Sequence, residues 1–397
     1  RPFASSRILR SLLVRWLVIC AMVQSAPAMA QTYQWSTWLG QAGSTGTANG
    51  IGNAARFTFP TDAAVDSSGN IYIVENQTVR KATPSGVVTT LAGSAGVTGS
   101  ANGTGSAARF YNPSGVAVHT DGTIYVADYW NHTIRKVTQA GVVTTLAGSP
   151  GVTGSTNGTG SAARFYYPHD VAVDSAGNVY VADNYNDTIR KITPAGVVTT
   201  LAGSAGNPGA VNGTGSAARF DAPAGVAVDS SGNVFVADRS NHAIRRVTPA
   251  GVVTTFAGTM TSFGSADGTG SAARFYYPLG LAIDAGGNLF VADTYNDNIR
   301  KITPAAVVTT IGGSAGSLGS ADGAGSAARF NNPFGVAVAY DNVLYVADRD
   351  NHTIRKGDVN QALITFENIY SPVGSQYSDC GVTNDGNDDI YTQNEFF

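Results

Sequence analysis

The sequence contains very little cysteine. Cys20 lies in an apolar N-terminal segment and Cys380 near the C-terminus, and these are the 2 cysteines among 397 residues. If the N-terminal segment is cleaved, Cys380 remains alone and no intramolecular disulfide can form. The stability of the mature protein must therefore come from the packing of the chain itself.

The sequence also lacks a surplus of positive charge. Lys and Arg total 24 against 27 Asp and Glu; four of the basic residues lie in the first 30 residues and seven of the acidic ones come after Lys356, so the part between them is balanced. Its cations recur at equivalent positions along the chain rather than gathering in one region. Because nucleic-acid binding needs a cationic face, we expect no nucleic-acid partner.

Long apolar segments are missing as well. The apolar run Trp16–Val23 is too short to span a bilayer, so we expect no membrane span. It follows three arginines and precedes the small residues Ala28–Ala30, which is the pattern of a secretory signal peptide over residues 1–30. We therefore expect a secreted or extracytoplasmic protein, in the periplasm or at the cell surface, that begins at Gln31. The chain opens with Arg1 rather than Met, as a fragment would.

A repeat fills most of the sequence. One arginine recurs every 55 residues as Arg80, Arg135, Arg190, Arg245, Arg300 and Arg355. Each period reads as four short strands rich in Val, Ile, Thr and Tyr, with an Asp/Asn/Gly turn between the first two. No helical periodicity is present. Four antiparallel strands repeated six times predict an all-β fold, a six-bladed β-propeller.

The ends of the repeat region predict how the ring closes. Six units contain the first three strands, but five have the following Val-Val-Thr-Thr strand. Tyr33–Gly40 aligns with the missing strand, so we expect an N-terminal outer strand to complete the last blade and remove the open sheet edges. The predicted domains are a signal peptide (1–30), a propeller (31–356) and an acidic C-terminal segment (357–397). We interpret the last as the truncated start of a second β-rich module.

Asn-His pairs lie in the turn before the third strand of alternate blades, followed by Thr133, Ala243 and Thr353. In these and the surrounding residues the units resemble NHL repeats over residues 33–356. The family is named for an Asn-His-Leu triplet, so this chain departs from it at the third position. The resemblance implies a β-propeller. It implies no single function, because the family includes peptide-amidating lyases, RNA-binding modules and bacterial extracytoplasmic proteins.

A carboxylate and an arginine recur together in each unit. The acid ends the second strand and the arginine lies in the third; the pairs are Glu75/Arg80, Asp128/Arg135, Asp183/Arg190, Asp238/Arg245, Asp293/Arg300 and Asp348/Arg355. A catalytic pair is needed once, whereas a structural device is needed in every blade. We therefore interpret these residues as a structural repeat network of carboxylate–guanidinium hydrogen bonds, and we expect no catalytic residue among them.

Histidine also recurs, but in alternate blades. The position after the recurring Asn of each turn reads Gln77, His132, Asp187, His242, Asp297 and His352. Side chains 120° apart at this radius are on the order of 20 Å from one another, whereas zinc needs its ligands at about 2 Å from one point. We interpret this position as a polar turn residue rather than a metal ligand.

Positions that differ between blades predict the functional site. The residues after the first-strand proline should line the mouth of the central channel, and they include Asp62, His169 and Asp170. The neighbouring turns add four single-blade aromatic residues: Tyr129, Trp130, Tyr185 and Tyr295. The two carboxylates, expected about 8–12 Å apart, are candidate contacts for a hydrated cation, with calcium as the ion to test. We expect His169 beside Asp170 to keep its proton to higher pH. Drift between duplicated repeats is the alternative for the whole set.

Three hypotheses for function remain. We favour an exported monomeric propeller, a binding or scaffold module for a protein, peptide or glycan ligand at the loop face around the channel, with no cofactor required. The alternative is an amidating-lyase-like metalloenzyme that uses the channel. For it the resemblance implies several channel histidines, an Arg and a Tyr, whereas His169 is the one histidine expected at the mouth and no arginine is recognised there. The third is a structural role in surface attachment through the C-terminal segment. The enzyme hypothesis stays open.

Overall fold

The computed structural model describes residues 32–360 and two short strands further on, Thr383–Asn384 and Ile390–Tyr391. The predicted signal peptide, Cys20, Cys380 and most of the acidic C-terminal segment lie outside the described residues. The chain divides into two units after Asn360. In the second unit the two short strands pair antiparallel. No helix in the described part of the chain is both long and apolar enough to cross a membrane.

The first unit is a six-bladed all-β propeller, as predicted, and each blade is an antiparallel sheet of five strands. In blade order, the first strands are Pro60–Val65, Gly115–Val118, Pro168–Val173, Pro223–Val228, Leu281–Ile283 and Pro333–Val338. The second strands are Ile71–Glu75, Ile124–Asp128, Val179–Asp183, Val234–Asp238, Leu289–Asp293 and Leu344–Asp348. The third strands are Thr78–Ala82, Thr133–Val137, Thr188–Ile192, Ala243–Val247, Asn298–Ile302 and Thr353–Asn360. The fourth strands are Val87–Gly93, Val142–Gly148, Val197–Gly203, Val252–Ala257, Val307–Gly313 and, for blade six, Thr32–Gly40.

A fifth, two-residue strand at the outer edge of each blade was not predicted. These strands are Gly50–Ile51, Gly103–Thr104, Gly158–Thr159, Gly213–Thr214, Gly268–Thr269 and Gly323–Ala324. Each pairs with the start of a fourth strand, as Gly103 does with Val143. Two residues carry no period that a sequence pattern could reveal. The added strand covers two residues of the outer sheet edge.

The loops contain short 3-10 helices. One set follows the edge strands and comprises Gly52–Ala54, Gly105–Ala107, Gly160–Ala162, Gly215–Ala217, Gly270–Ala272 and Gly325–Ala327. A second set joins the second and third strands of blades two to six and comprises Tyr129–Asn131, Asn184–Asn186, Arg239–Asn241, Thr294–Asn296 and Arg349–Asn351. Blade one lacks this helix because its turn is two residues shorter. The second set faces the central channel.

The N-terminal strand closes the ring, as the alignment of Tyr33–Gly40 predicted. It pairs with the third strand of blade six from Thr32 opposite Asn360 to Gly40 opposite Thr353. That third strand therefore runs to Asn360, beyond the predicted domain end at residue 356. The difference arises because the strand pairing continues past Lys356, whereas the repeat pattern of the sequence ends there.

Trp35 anchors the closing strand in the core. Its side chain is fully buried, and its indole Nε1 donates a hydrogen bond to the Ile311 carbonyl oxygen at 2.9 Å. The ring lies against Gly312 and Gly357, where an added Cβ would come within 2.3 and 2.7 Å of it. It also packs edge-on against Phe330, with ring centroids 5.1 Å apart. Two backbone positions without side chains thus make the space that this indole fills.

The alternating His and Asp residues connect neighbouring blades. Each has left-handed backbone geometry, with φ between 52° and 59°, and its side chain accepts a hydrogen bond from a backbone N–H of the next blade. The acceptors are Nδ1 of His132, His242 and His352 and Oδ1 of Asp187 and Asp297, at 2.9–3.3 Å. Imidazole and carboxylate alternate because both place an acceptor at the same point. The position is structural, and its alternation carries no three-fold ligand site.

Candidate functional site

A cavity of about 410 Å³ opens on the propeller axis at the loop face. Its wall is made by the starts of the first strands and by the 3-10 helices that follow the second strands. The four predicted aromatic residues all line it: Tyr129, Trp130, Tyr185 and Tyr295. Trp130, Tyr185 and Tyr295 are 43%, 54% and 48% exposed, so their rings are available to a ligand. Tyrosines of the entering loops support them, as where Tyr167 stacks on Tyr129 at 4.8 Å.

Two rings from opposite blades form the floor of the cavity. His169 of blade three stacks on Phe334 of blade six, with centroids 5.7 Å apart and planes inclined by 27°. Because these blades face each other across the axis, the pair spans the channel. About 10 Å³ of free space remains beneath it. The cavity is therefore a blind pocket open to the loop face rather than the mouth of a through-channel.

Asp62 and Asp170 lie below this floor and do not line the cavity. Asp62 Oδ2 accepts a hydrogen bond from Val116 N at 2.8 Å, and Asp170 Oδ2 accepts one from Val226 N at 2.9 Å. The two carboxyl groups are also hydrogen-bonded to each other. The predicted separation of about 8–12 Å is wrong, because the inner strands approach more closely than the strand spacing suggested.

Two glycines make this approach feasible. A Cβ added to Gly335 would lie 2.2 Å from Asp62 Oδ1, and one added to Gly115 would lie 2.4 Å from Asp170 Oδ1. The carboxyl groups thus occupy space that any larger residue at these positions would fill. Their oxygens are engaged with backbone N–H groups and with each other, which leaves them poorly placed to contact a hydrated cation.

Burial raises the pKa of both carboxyl groups. For Asp62, desolvation by burial is the main cause and the charge of Asp170 adds to it. For Asp170, burial raises the pKa to about 7 against the opposing hydrogen bonds from Val226, Val171 and Asp62. The two carboxyl groups titrate as a pair, and the pair retains one proton to a higher pH than isolated aspartates do. Two like charges in contact cannot both ionise cheaply.

This pair predicts a specific pH dependence of stability. Both pKa values are raised above the unfolded range of about 4, so the folded state binds more protons than the unfolded state. The contribution to stability is present at low pH and is lost as the pH rises from about 4 toward 7. In Asp62→Asn the amide replaces the protonated carboxyl permanently. We expect the unfolding free energy of this variant to vary less with pH than that of the wild type.

Urea unfolding at several pH values between 4 and 8 measures the effect. A difference of one in pKa between the folded and unfolded states corresponds to about 1.4 kcal/mol. Asp341→Asn, which removes an exposed carboxylate at the opposite face, serves as the control and should leave the wild-type profile unchanged. Parallel profiles for Asp62→Asn and the wild type would contradict the shared proton.

His169 differs from its predicted state. Burial, together with a smaller contribution from the positive charge of Arg239, lowers its pKa to about 3. The prediction of a raised pKa is wrong because the Asp170 carboxyl turns away to backbone N–H groups, while a guanidinium is the charge that His169 meets. The imidazole is therefore neutral near pH 7. It serves as an aromatic floor that can still form a hydrogen bond.

Arg239 and Arg349 line the cavity and were missed by sequence reasoning. They occupy the first position of the 3-10 helix that Tyr129 occupies in blade two. The sequence does contain the signal, since these are the arginines found in a single blade and they align with an aromatic residue assigned to the mouth. Aligning the turns position by position would have found them. The expectation that no arginine lies at the mouth is wrong.

The recurring carboxylate–arginine pairs do not line the cavity and are fully buried. The carboxylate–guanidinium distances run from 2.5 to 3.1 Å in blades two to six, and Glu75 contacts Arg80 in blade one. Burial raises the pKa of each paired aspartate to about 6 in spite of the arginine. The pair is held by further bonds: Asp293, for instance, also accepts from Tyr276 N at 2.7 Å and Asn296 Nδ2 at 2.8 Å. The geometry is that of a repeated structural network.

The described residues do not assemble a metal centre. Within residues 32–360 and the two short strands, no three His, Cys, Asp or Glu side chains come close enough to share a metal ion. His169 is the histidine that lines the cavity. The amidating-lyase alternative implied several channel histidines, and the site as described does not bring them together.

Comparison with known sequences identifies the repeats. The sequence profile described as NHL repeat matches residues 110–137, 165–192, 220–246, 275–302 and 330–356, one stretch in each of blades two to six. NHL repeat-containing protein 2 of Bos taurus is 29% identical over 312 residues, which are 68% of this chain and 42% of that protein. Protein SUPPRESSOR OF QUENCHING 1, chloroplastic, of Arabidopsis thaliana is 29% identical over 286 residues, 68% of this chain and 27% of that protein. The chain thus spans less than half the length of these relatives.

Solved structures share the fold. An auxiliary nutrient binding protein from Bacteroides ovatus superimposes with a TM-score of 0.62 at 19% identity, covering 83% of this chain and 77% of that one. Another, from Bacteroides thetaiotaomicron, has a TM-score of 0.62 at 16% identity, covering 84% and 78%. Identities this low establish likeness of fold alone. With the blade architecture and the five matched repeats, the chain belongs to the NHL-repeat β-propeller family.

Proposed function

We propose that this protein is an exported binding module that takes a small ligand into the cavity at the loop face. One observation carries the proposal: the residues that differ between blades converge on this cavity. Tyr129, Asn184, Arg239 and Arg349 occupy one equivalent position of the repeat and all line it. The residues common to every blade build the sheets and the buried ion pairs instead. A repeated scaffold that varies at its central pocket is suited to recognition.

The cavity has the dimensions and the chemistry of a ligand site. Its volume of about 410 Å³ lies in the usual range for small-molecule pockets, about 300–1,000 Å³. The stacked His169 and Phe334 close its lower end, so a ligand enters from the loop face. The wall combines half-exposed aromatic rings with amide and guanidinium groups, which supply apolar contact and directional hydrogen bonds together.

The structural neighbours agree with a binding role. Two of them, from Bacteroides ovatus and Bacteroides thetaiotaomicron, are described as auxiliary nutrient binding proteins. Their likeness concerns the fold, and their description supports a binding module as the function of this chain. We propose that it acts as a monomer and that its partner is a protein, peptide or glycan whose recognised group fits the cavity.

A ligand array tests the binding site. The mature protein is screened against glycans and peptides, and the affinity of each hit is measured by calorimetry with wild type and with Tyr185→Ala/Tyr295→Ala. Both rings are about half exposed, so their removal should spare the fold. We expect binding to weaken at least about tenfold in this variant, as lost aromatic contacts predict. Tyr340→Ala, which removes an 88% exposed ring at the opposite face, is the control. Ligands whose affinity falls in Tyr340→Ala alone would show that the binding site lies outside the cavity.

Export is part of the same proposal. The basic residues, the short apolar run Trp16–Val23 and the Ala28–Ala30 sequence support cleavage after Ala30. We expect mass analysis of secreted material to show a mature N-terminus at Gln31. Retention of the full chain in the cytosol would contradict export while leaving the binding proposal untouched.

A further inference from the structure

The charge of the cavity differs from that of the rest of the protein. Arg239 and Arg349 line it, and among the described residues that line it none is acidic. In the whole sequence acidic residues outnumber basic ones, 27 to 24. The cationic lining is therefore a local feature of the axis. A concave site lined by one sign of charge concentrates ligands of the opposite sign.

Arg239 lacks a counter-ion. Each third-strand arginine of the recurring pairs contacts a buried carboxylate, and Arg349 contacts Asp350 Oδ1 at 2.9 Å. The Arg239 guanidinium instead lies over the Tyr277 ring, 5.2 Å from its centroid. Among residues 32–360, no acidic side chain lies within ion-pair distance of it, and its Nε is buried without a hydrogen-bond partner. This arginine lines the cavity and is held in place by a ring, and its terminal NH₂ groups have no carboxylate partner among residues 32–360.

The chemistry of the Arg239 guanidinium indicates an anion as its partner. A partly buried cation has lost part of its hydration, and an anion that binds it restores those interactions. Guanidinium presents a planar fork that matches the two oxygens of a carboxylate. His169, next to Arg239 on the floor, carries no charge near pH 7 and offers hydrogen bonding. His169 thus adds neither a further cation nor a competing anion beside Arg239.

The other residues that line the cavity indicate which kind of molecule bears the carboxylate. Tyr185 and Tyr295 present half-exposed rings, and Asn76 and Asn112 place amide groups in the same cavity. Amides pair with hydroxyl groups, and aromatic faces pack against the apolar face of a small ring. A ligand with a carboxylate on a hydroxylated ring satisfies all three kinds of group at once.

We infer that the cavity recognises a small carboxylate-bearing ligand, an acidic sugar or a similar hydroxylated acid, whose carboxylate binds Arg239 with Arg349 in support. This inference rests on the proposed function, because it requires the cavity to be the binding site. It reverses the sign of the ligand expected from the sequence, where the carboxylates of Asp62 and Asp170 pointed to a cation.

The probes are digalacturonic acid, neutral maltose, citrate and inorganic phosphate, titrated by calorimetry into wild type, Arg239→Gln, Arg349→Gln and Arg246→Gln. Arg246 lies in the same blade as Arg239 but does not line the cavity, and its guanidinium donates a hydrogen bond to Asn233 Oδ1 at 3.3 Å. Arg246→Gln therefore makes the same change of charge as Arg239→Gln at a position outside the site. We expect digalacturonic acid to bind and maltose not to bind. Loss of one charge-assisted contact should lower the affinity for digalacturonic acid at least about tenfold in Arg239→Gln. The affinity should fall less in Arg349→Gln and stay unchanged in Arg246→Gln.

The outcomes separate this inference from the function on which it rests. Binding of digalacturonic acid but not of citrate or phosphate assigns the site to acidic sugars, and binding of all three assigns it to oxyanions generally. Equal affinity for maltose and the acid, or unchanged acid affinity in Arg239→Gln, overturns the inference. If a neutral ligand such as maltose binds and its affinity falls in Tyr185→Ala/Tyr295→Ala, the proposed binding function is still supported. If nothing from the array or the four probes depends on either set of residues, both fail.

Discussion

A chain that starts at Gln41 is expected to aggregate or to melt far below the wild type. The deletion removes the fourth strand of blade six, which pairs with Thr353–Asn360 along its whole length and covers the edge of that blade. It also removes Trp35, whose buried indole packs on Gly312 and Gly357. With one blade reduced to an open sheet, the unpaired edge is available for intermolecular pairing.

Point variants separate the anchor from the strand. Trp35→Ala should cost about 3–5 kcal/mol of unfolding free energy, as large buried aromatic residues do, against a typical total of about 5–15 kcal/mol. Trp38→Ala is the control in the same strand, because its ring is only partly buried and contacts Tyr345 at 4.9 Å. We expect a clearly smaller loss there. Thermal and urea unfolding measure both, and an unchanged midpoint for the truncated chain would refute N-terminal closure.

Asp293→Asn is expected to destabilise the protein by about 3–5 kcal/mol. The substitution leaves the buried Arg300 without the carboxylate that contacts it at 2.8 Å, and breaking a buried pair on one side has this cost. Burial raises the pKa of Asp293 to about 6 in spite of Arg300, so desolvation offsets much of the attraction between the two charges. Removing one member therefore costs more than the intact pair contributes. Unfolding in urea at pH 7 measures the loss.

The same arginine supplies a matched control. Arg300 also contacts Asp267 at 2.7 Å, but that side chain is 49% exposed. Asp267→Asn makes the same chemical change and should cost no more than about 1 kcal/mol. Blades one to four carry Asn at this position, so the amide is compatible with the repeat. Equal losses in the two variants would contradict the structural role assigned to the buried network.

The double variant Asp293→Leu/Arg300→Met tests the network further. Replacing both members by apolar groups also removes the buried guanidinium that Asp293→Asn leaves without its buried carboxylate, so part of the lost stability should return. Recovery would show that the cost of Asp293→Asn comes from a buried guanidinium that has lost its buried carboxylate. A double variant less stable than Asp293→Asn would show that the surrounding hydrogen bonds need the ion pair itself.

These predictions separate two classes of residue in the propeller. Residues that recur in every blade hold strands and blades together, as Asp293 and Arg300 do. Residues that differ between blades, such as Arg239 and Phe334, line the cavity on the axis. A repeat protein can therefore vary its site without altering the contacts on which its fold depends.

Several features could be predicted from local pattern alone. The spacing of the arginines set the number of blades, and the alignment of Tyr33–Gly40 predicted the closing strand. The repetition of Asp128 with Arg135 in every unit distinguished a structural pair from a catalytic one. The aromatic residues of the cavity were found because their turns align with one another.

Other features were decided by contacts between residues far apart in the chain. His169 and Phe334 meet only because blades three and six face each other across the axis, and their stack changes a channel into a blind pocket. Asp62 and Asp170 share a proton only because the glycines at 115 and 335 let the inner strands approach. The sequence by itself determined the repeat, the blade count, the closure and the buried pairs, since each depends on periodicity or on neighbours within one unit. Tertiary structure decided the charge of the site, because solvation and distance, which set the pKa of His169 and leave Arg239 without a counter-ion, exist only once the six blades surround one axis.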